Sequence, residues 1–394
     1  MMKIFRLAVA TSAAFLALAL AASAQTYSVV HTFGLTDGAN PMAGLFLDTN
    51  GNFWGTTEGG GAHSAGEVFE ITANGTFSVA YSFAGSDGAA PEAALIADKL
   101  GNLWGTTASG GSNKSGTVFK IATNGTLSVV HDFAGGSDGA TPTAGLTIDK
   151  KGNLWGTTLV GGASNLGTVF KIPAKGVYSV AHSFGSGTDG SEPWAGLFKD
   201  KKGNLWGTTT GGGANGGGTL FKIAPNGSYS IVRNFPEYSG DGYWPFATLV
   251  QDKQGNLWGT TSGGGSYPGT CAGGGCGTVF EIAAKGAYSI VHSFDPTQAF
   301  RPVAPLLLDA SGNLWSITEL GGAYGGGTVF EIAANGTYSV IYGFVGGTLG
   351  AYPSTGLVGD KTGNLWGTTE FGGAGNLHCL GQGHTCGVVF ELTP

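Results

Sequence analysis

One seven-residue phrase, Gly-Asn-Leu-Trp-Gly-Thr-Thr, recurs seven times and limits what this chain can become. Its tryptophans are Trp54, Trp104, Trp155, Trp206, Trp258, Trp315 and Trp366, with successive gaps of 50, 51, 51, 52, 57 and 51 residues. The sixth copy departs most, carrying Ser316-Ile317 where the others have Gly-Thr. A period of this length means one supersecondary unit repeated along the chain.

The residues around the phrase define that unit. A short apolar run such as Ala43 to Leu47 precedes it (strand a) and ends in Asp-x-x-Gly-Asn, opened by Asp48, Asp98, Asp149, Asp200, Asp252, Asp309 or Asp360. This predicts a hairpin on a type I turn, with glycine in the left-handed position and Asp bonding the turn backbone. The phrase itself is strand b. A glycine-rich loop leads to strand c, Gly116 to Ile121 and its equivalents. An Asn-Gly or Lys-Gly turn then opens strand d, such as Tyr178 to Phe184. Runs of β-branched and aromatic residues between turn signals read as strands, and no helical periodicity interrupts them.

Four antiparallel strands per repeat, seven times over, predict an all-β, seven-bladed β-propeller. The chain begins with an isolated strand d and ends with strand c, Gly387 to Leu392, so the N-terminal strand can complete the last blade and close the ring. The expected blades cover residues 39–83, 91–133, 142–184, 193–235, 245–294 and 302–344, with 353–394 completed by 26–33. Blades stack face to face, so strands a and b should be buried on both sides. The tryptophans are expected to fill space between blades. The glycine after each leaves room for a bulky neighbour.

Glycine is abundant, at 75 residues, but it falls at fixed places between apolar runs and reads as turn chemistry, not as disorder. Charged residues are only 11% of the chain, against about 25% in ordinary domains. The net charge is −7, and no basic stripe runs along the sequence, so no nucleic-acid partner is expected.

Residues 1–24 read as a signal peptide. Lys3 and Arg6 precede the apolar stretch Leu7 to Ala21, and Ala22-Ser23-Ala24 forms a cleavage site before Gln25. The expected product, residues 25–394, is a secreted or periplasmic monomer with no membrane span. Its four cysteines form two close pairs, expected as disulfides Cys271–Cys276 and Cys379–Cys386. His378, Cys379, His384 and Cys386 lie close in sequence, but their spacing matches no common zinc finger. No metal and no cofactor are expected. The glycine run at 211–218 has no following helix and reads as a hairpin loop, not a phosphate loop.

These residues, Asp-x-x-Gly-Asn-Leu-Trp-Gly-Thr-Thr, then Gly-Thr-Val-Phe-Glu/Lys-Ile, then Asn-Gly-Thr-Tyr-Ser-Val, resemble the Gloeo–Verruco (GloVer) tandem repeat of exported bacterial proteins. The likeness covers essentially all of the mature chain. It implies an extracytoplasmic propeller and no established catalytic residues. The layout is also loosely similar to NHL-type and lyase-type propellers.

A residue present in every repeat serves the repeat, so function is sought where repeats disagree. The a–b and c–d turns share one face and hardly vary. The d–a and b–c loops share the other, are longer, and differ between blades. Binding residues favour such loops on rigid scaffolds. The residues flanking the strand-a prolines differ most: Trp194, Tyr243, Trp244, Phe246, Phe300, Arg301 and Tyr352 make an aromatic rim expected to bind an extracellular glycan or protein without catalysis. Glu92 and Glu192 are candidates for an acid/base pair in the alternative, a polysaccharide lyase or hydrolase acting at the channel mouth. A purely structural cell-envelope protein is the third expectation.

Overall fold

The computed structural model describes residues 25–185, 187–266, 271, 274–373 and 386–394. They form seven four-stranded antiparallel sheets, each in the order a-b-c-d. In blade 1 these are Phe46–Leu47, Phe53–Thr57, Glu67–Ile71 and Phe77–Ser82. Blade 7 takes strand c from Val388–Thr393 and strand d from the N-terminal Thr26–Thr32, in register from Thr26 opposite Thr393 to Thr32 opposite Val388. The ring is closed as the sequence implied. Blade 6 adds a small ladder between Ala299–Phe300 and Leu320–Gly321.

The Asp-x-x-Gly-Asn turn does more than close a hairpin. Asp48 Oδ1 accepts the N–H groups of Asn50 and Asn52 at 2.8 and 2.9 Å. Gly51 takes φ 93°, the left-handed position the turn needs. Asp48 Oδ2 accepts the indole N–H of Trp54 at 3.2 Å, and the same bond recurs in all seven blades at 3.0–3.2 Å.

That bond sets the depth of the tryptophan, which packs against the next blade's core as expected, Trp54 on blade 2, Trp104 on blade 3 and Trp155 on blade 4. Tied to the turn, the indole lies toward the turn face and stays half-buried in five blades; only Trp315 and Trp366 fall to 8% and 9% exposure. The fully buried filler is the phenylalanine of strand c. Phe170, 0% exposed, pairs across from Gly156, where a Cβ would stand 2.5 Å from its Cζ. In blade 6 Ser316 replaces that glycine and its hydroxyl bonds the carbonyl oxygens of Ala304 and Pro305 at 3.3 and 3.0 Å.

Neighbouring blades are joined at two depths. Near the channel, Thr157 Oγ1 donates to the carbonyl of Ala195 in the next blade at 3.2 Å, and Thr106 does the same to Ala144 at 3.1 Å. At the rim, His131 stacks on Tyr178 of the next blade with centroids 3.7 Å apart, and its Nε2 lies 3.1 Å from Asp138. Arg233 takes the histidine's place in blade 4, over the ring of Tyr288 at 3.4 Å and paired with Asp241 at 2.9 Å. The strand-d histidines are thus clasps between blades.

Phe170→Ala is expected to lower stability by about 3–5 kcal/mol, the range for deleting a buried aromatic ring. Trp155→Ala should cost less, because its ring is already half-exposed. Urea unfolding of both variants checks the ranking.

Candidate functional site

In each d–a loop the residue just before the strand-a proline takes an unusual backbone, two positions ahead of the residue that reaches the channel in six of the blades. All seven are non-glycine and left-handed: Asn40, Ala90, Thr141, Glu192, Trp244, Arg301 and Tyr352 have φ between 54° and 62°. Such a backbone is unusual for L-residues. It is held from both sides. The N–H of Arg301 donates to Cys276 of the preceding blade at 2.9 Å, and its carbonyl accepts the N–H of Glu319 in its own blade at 3.1 Å. Trp244 bonds Gly217 and Ser262 in the same way, at 2.9 and 3.0 Å.

Inside this collar lies a cavity of about 360 Å³, to which every blade contributes. Met42, Glu92, Thr143, Trp194 and Phe246 line it. Trp194 and Phe246 meet with centroids 5.8 Å apart, tilted by 48°, and Trp194 is 37% exposed. They form an aromatic arc on blades 4 and 5.

The remaining rim candidates divide. Trp244 is half-buried, packed edge-on against Tyr243 at 4.9 Å. Tyr243 itself is 0% exposed and belongs to the core with Phe235, Leu249 and Phe280, so it offers no surface to a ligand. Phe300 is held in the small blade-6 ladder, and Tyr352 meets Phe371 edge-on at 5.8 Å. Arg301 is exposed and pairs with Glu319 at 3.2 Å.

A further set of carboxylates, not legible from the repeat pattern, lies at the end of strand b. The residue following strand b is Glu58 in blade 1, Glu319 in blade 6 and Glu370 in blade 7, but Ala108, Leu159, Thr210 and Ser262 elsewhere. With Glu92 of blade 2, which lines the cavity, four consecutive blades carry acids close enough to act on one another. Burial, reinforced by the charge of Glu58, pushes Glu92 up to about 7. Burial, with the charges of Glu319 and Glu58, pushes Glu370 to about 7, against the pull of Arg301. Burial also raises Glu58 and Glu319, the latter opposed by Arg301. The acid coupled to Glu92 is therefore Glu58, whereas Glu192 stands exposed and receives Thr210 Oγ1 on its backbone carbonyl at 3.1 Å.

Carboxyl groups that titrate near neutrality can both donate and accept hydrogen bonds, and can move protons. Facing an aromatic arc, they can hold a ligand with hydroxyls on one side and an apolar face on the other. Among the described residues no group of three His, Cys, Asp or Glu is placed to hold a metal ion.

The family's sequence profile matches residues 16–200 and 173–382. The chain belongs to the Gloeobacter/Verrucomicrobia repeat family. No curated relative matches it in sequence. Its fold is similar to that of a streptogramin B lyase, with 14% identity and TM-score 0.60 over 94% of this chain and 97% of the lyase. A virginiamycin B lyase from Staphylococcus aureus is similar to the same degree, at 14% and 0.60 over 94% and 100%. The extracellular domain of a hybrid two-component system from B. thetaiotaomicron matches with 11% identity and TM-score 0.62, over 93% of this chain and 39% of the other. At these identities the likeness shows the propeller fold alone.

Cys271 and Cys276 form a disulfide in the blade-5 b–c loop. Cys386 is also disulfide-bonded. Its expected partner Cys379 lies outside the described residues, as do His378, His384 and the leader, residues 1–24. Among the described residues no helix is long and apolar enough to cross a membrane.

The raised Glu92 has a signed consequence. Below about pH 4.5 the carboxyl is protonated whether the chain is folded or not. Between that and about 7 the unfolded chain ionises first, so folding loses the stability that the neutral form supplied. Glu92→Gln should therefore raise the melting temperature at pH 8 and leave it nearly unchanged at pH 4. Equal gains at both pH values would contradict this.

Proposed function

We propose that the protein is an exported, non-enzymatic propeller that binds a hydroxyl-rich ligand, a glycan segment, at the mouth of its central channel. The observation that carries this is the lining of one open cavity, Trp194 and Phe246 on one arc and Glu92 on another, with Glu58 close enough to act on Glu92, and Glu58 and Glu319 on Glu370. Aromatic rings accept the apolar face of a sugar, and carboxyls near neutrality bond its hydroxyls as donor or acceptor. Pockets of this size with a few convergent polar groups are the usual form of a small-ligand site. The left-handed residue two positions before each of Glu92, Trp194 and Phe246 supports the proposal, because a fixed backbone leading into them lowers the ordering cost of binding. Export rests on the leader-like sequence of residues 1–24, and the disulfides fit it.

A second function has its own support. Glu92 and Glu370, both near 7, suit general acid/base work on a polysaccharide. Two of the similar folds are named as lyases. On this alternative the working acids are Glu92 and Glu370, not the Glu92 and Glu192 pair.

A melting screen against neutral and acidic oligosaccharides distinguishes the cases. Under the binding proposal at least one sugar raises the melting temperature saturably without product. Trp194→Ala and Phe246→Ala then each weaken its binding about tenfold or more, as for truncated aromatic anchors. Release of product that disappears in Glu92→Gln and Glu370→Gln would replace binding with catalysis. Sugars that shift wild type and both aromatic variants alike would place binding away from the mouth.

A further inference from the structure

The opposite face, formed by the a–b and c–d turns, carries its charge unevenly. The residue paired across from each tryptophan on strand c is Lys120, Lys171 and Lys222 in blades 2, 3 and 4. The same position is Glu70, Glu281, Glu331 and Glu391 in blades 1, 5, 6 and 7. The three lysines lie over their indoles, with Nζ at 5.7, 5.0 and 5.6 Å from the ring centres. The a–b turns repeat the bias: Lys99, Lys150, Lys151, Lys201 and Lys202 are all exposed. Lysines thus outnumber carboxylates across three adjacent blades of an acidic protein, although they are dispersed in sequence.

Between these blades run radial clefts. The one between blades 2 and 3 encloses about 510 Å³, with Trp104, Val130, Ile148 and Ile172 as walls and Lys99, Lys150 and Lys151 at the rim. The one between blades 4 and 5 encloses about 460 Å³, between Trp206 and Lys201, Lys202, Lys222 and Lys253. Leu100 and Val177, beside the first cleft, are 80% and 84% exposed, which a solvated turn has no need of.

We propose that this sector of the turn face, blades 2 to 4, binds an anionic polysaccharide, with successive sugar residues seated against the half-buried indoles and their acidic groups on the lysines. Charge complementarity names the partner's sign. The clefts name its shape: apolar walls with a half-exposed ring suit the face of a pyranose. Each cleft also carries turn aspartates, Asp98 and Asp149 in the first. Burial acts to raise these two, but hydrogen bonds from Asn, Trp and turn N–H groups outweigh it and keep them ionised. Closely spaced phosphates would meet those charges, whereas a sugar chain with hydroxyls between its acids can avoid them. A nucleic acid is therefore disfavoured.

The repeat supplies its own control, since glutamate at the strand-c position is already accepted by four blades. The full chain is tested against immobilised polygalacturonate, with dextran, single-stranded DNA and phosphatidylglycerol vesicles as the other arms. Wild type should bind polygalacturonate with an affinity that falls steeply with salt. Lys120→Glu, Lys171→Glu and Lys222→Glu combined should weaken it at least tenfold at a temperature where circular dichroism shows the variant still folded. Glu281→Lys with Glu331→Lys, which extends the basic sector, should tighten it. The proposal is overturned if wild type does not bind, if the triple variant binds as well, or if dextran, DNA or vesicles bind equally. Because all these substitutions lie on the face opposite the channel mouth, their outcome is separate from that of the Trp194 and Phe246 variants.

Discussion

The N–H of the residue before each strand-a proline donates to a carbonyl of the preceding blade, and its own carbonyl receives an N–H from the end of strand b. Everything at the channel mouth depends on this pair of bonds. A non-glycine residue at φ near 57° costs roughly 1–2 kcal/mol relative to its right-handed alternatives, and a following proline restricts it further. Two backbone hydrogen bonds contribute about 0.5–1.5 kcal/mol each, which is enough to offset that strain. The side chain at this position is therefore held by backbone chemistry that any L-residue can satisfy. Asn40, Ala90, Thr141, Glu192, Trp244, Arg301 and Tyr352 all occupy it, so the position can vary without touching the fold.

The same division between backbone chemistry and side-chain choice explains what could be read from the sequence. Strand order, blade number and ring closure follow from periodicity and from the two unmatched terminal strands, which need no knowledge of contacts. The turn chemistry of Asp48 and Gly51 was legible for the same reason. The indole bond to Asp48 was not, because it depends on which way the tryptophan side chain leans. Recurrence placed the tryptophan between blades, where it packs, yet one polar N–H decides its depth, and Phe170 takes the fully buried position. Tyr243 looked like its neighbour Trp244, but Tyr243 is bridged to Gly263 with its ring in the core, and only Trp244 takes the left-handed position.

Nor could the carboxylate arc be seen. Glu58, Glu319 and Glu370 directly follow a strand that reads as core, and blades 7 and 1 lie at opposite ends of the chain. Only closure of the ring makes Glu370 and Glu58 neighbours. The lysine sector was hidden differently. Its equivalent members, Lys120, Lys171 and Lys222, are 51 residues apart in sequence, so no stripe forms until blades stand side by side.

A repeat protein contains its own comparison series, and at the mouth that series argues against a structural role for the acids. Ala108 and Leu159 fill, in blades 2 and 3, the position that Glu58 and Glu370 fill in blades 1 and 7. The fold is thus complete without a carboxylate there. Burial raises Glu58, Glu92, Glu319 and Glu370 alike, so each makes the folded state less favourable at neutral pH than an uncharged residue would. Arg301 opposes two of them, Glu319 and Glu370, and pairs with Glu319. Four half-buried acids gathered where the repeat does not require them are a standing cost in stability. Structural packing gives no return on that cost, whereas a ligand whose hydroxyls donate hydrogen bonds to the carboxylates would remove much of it on binding.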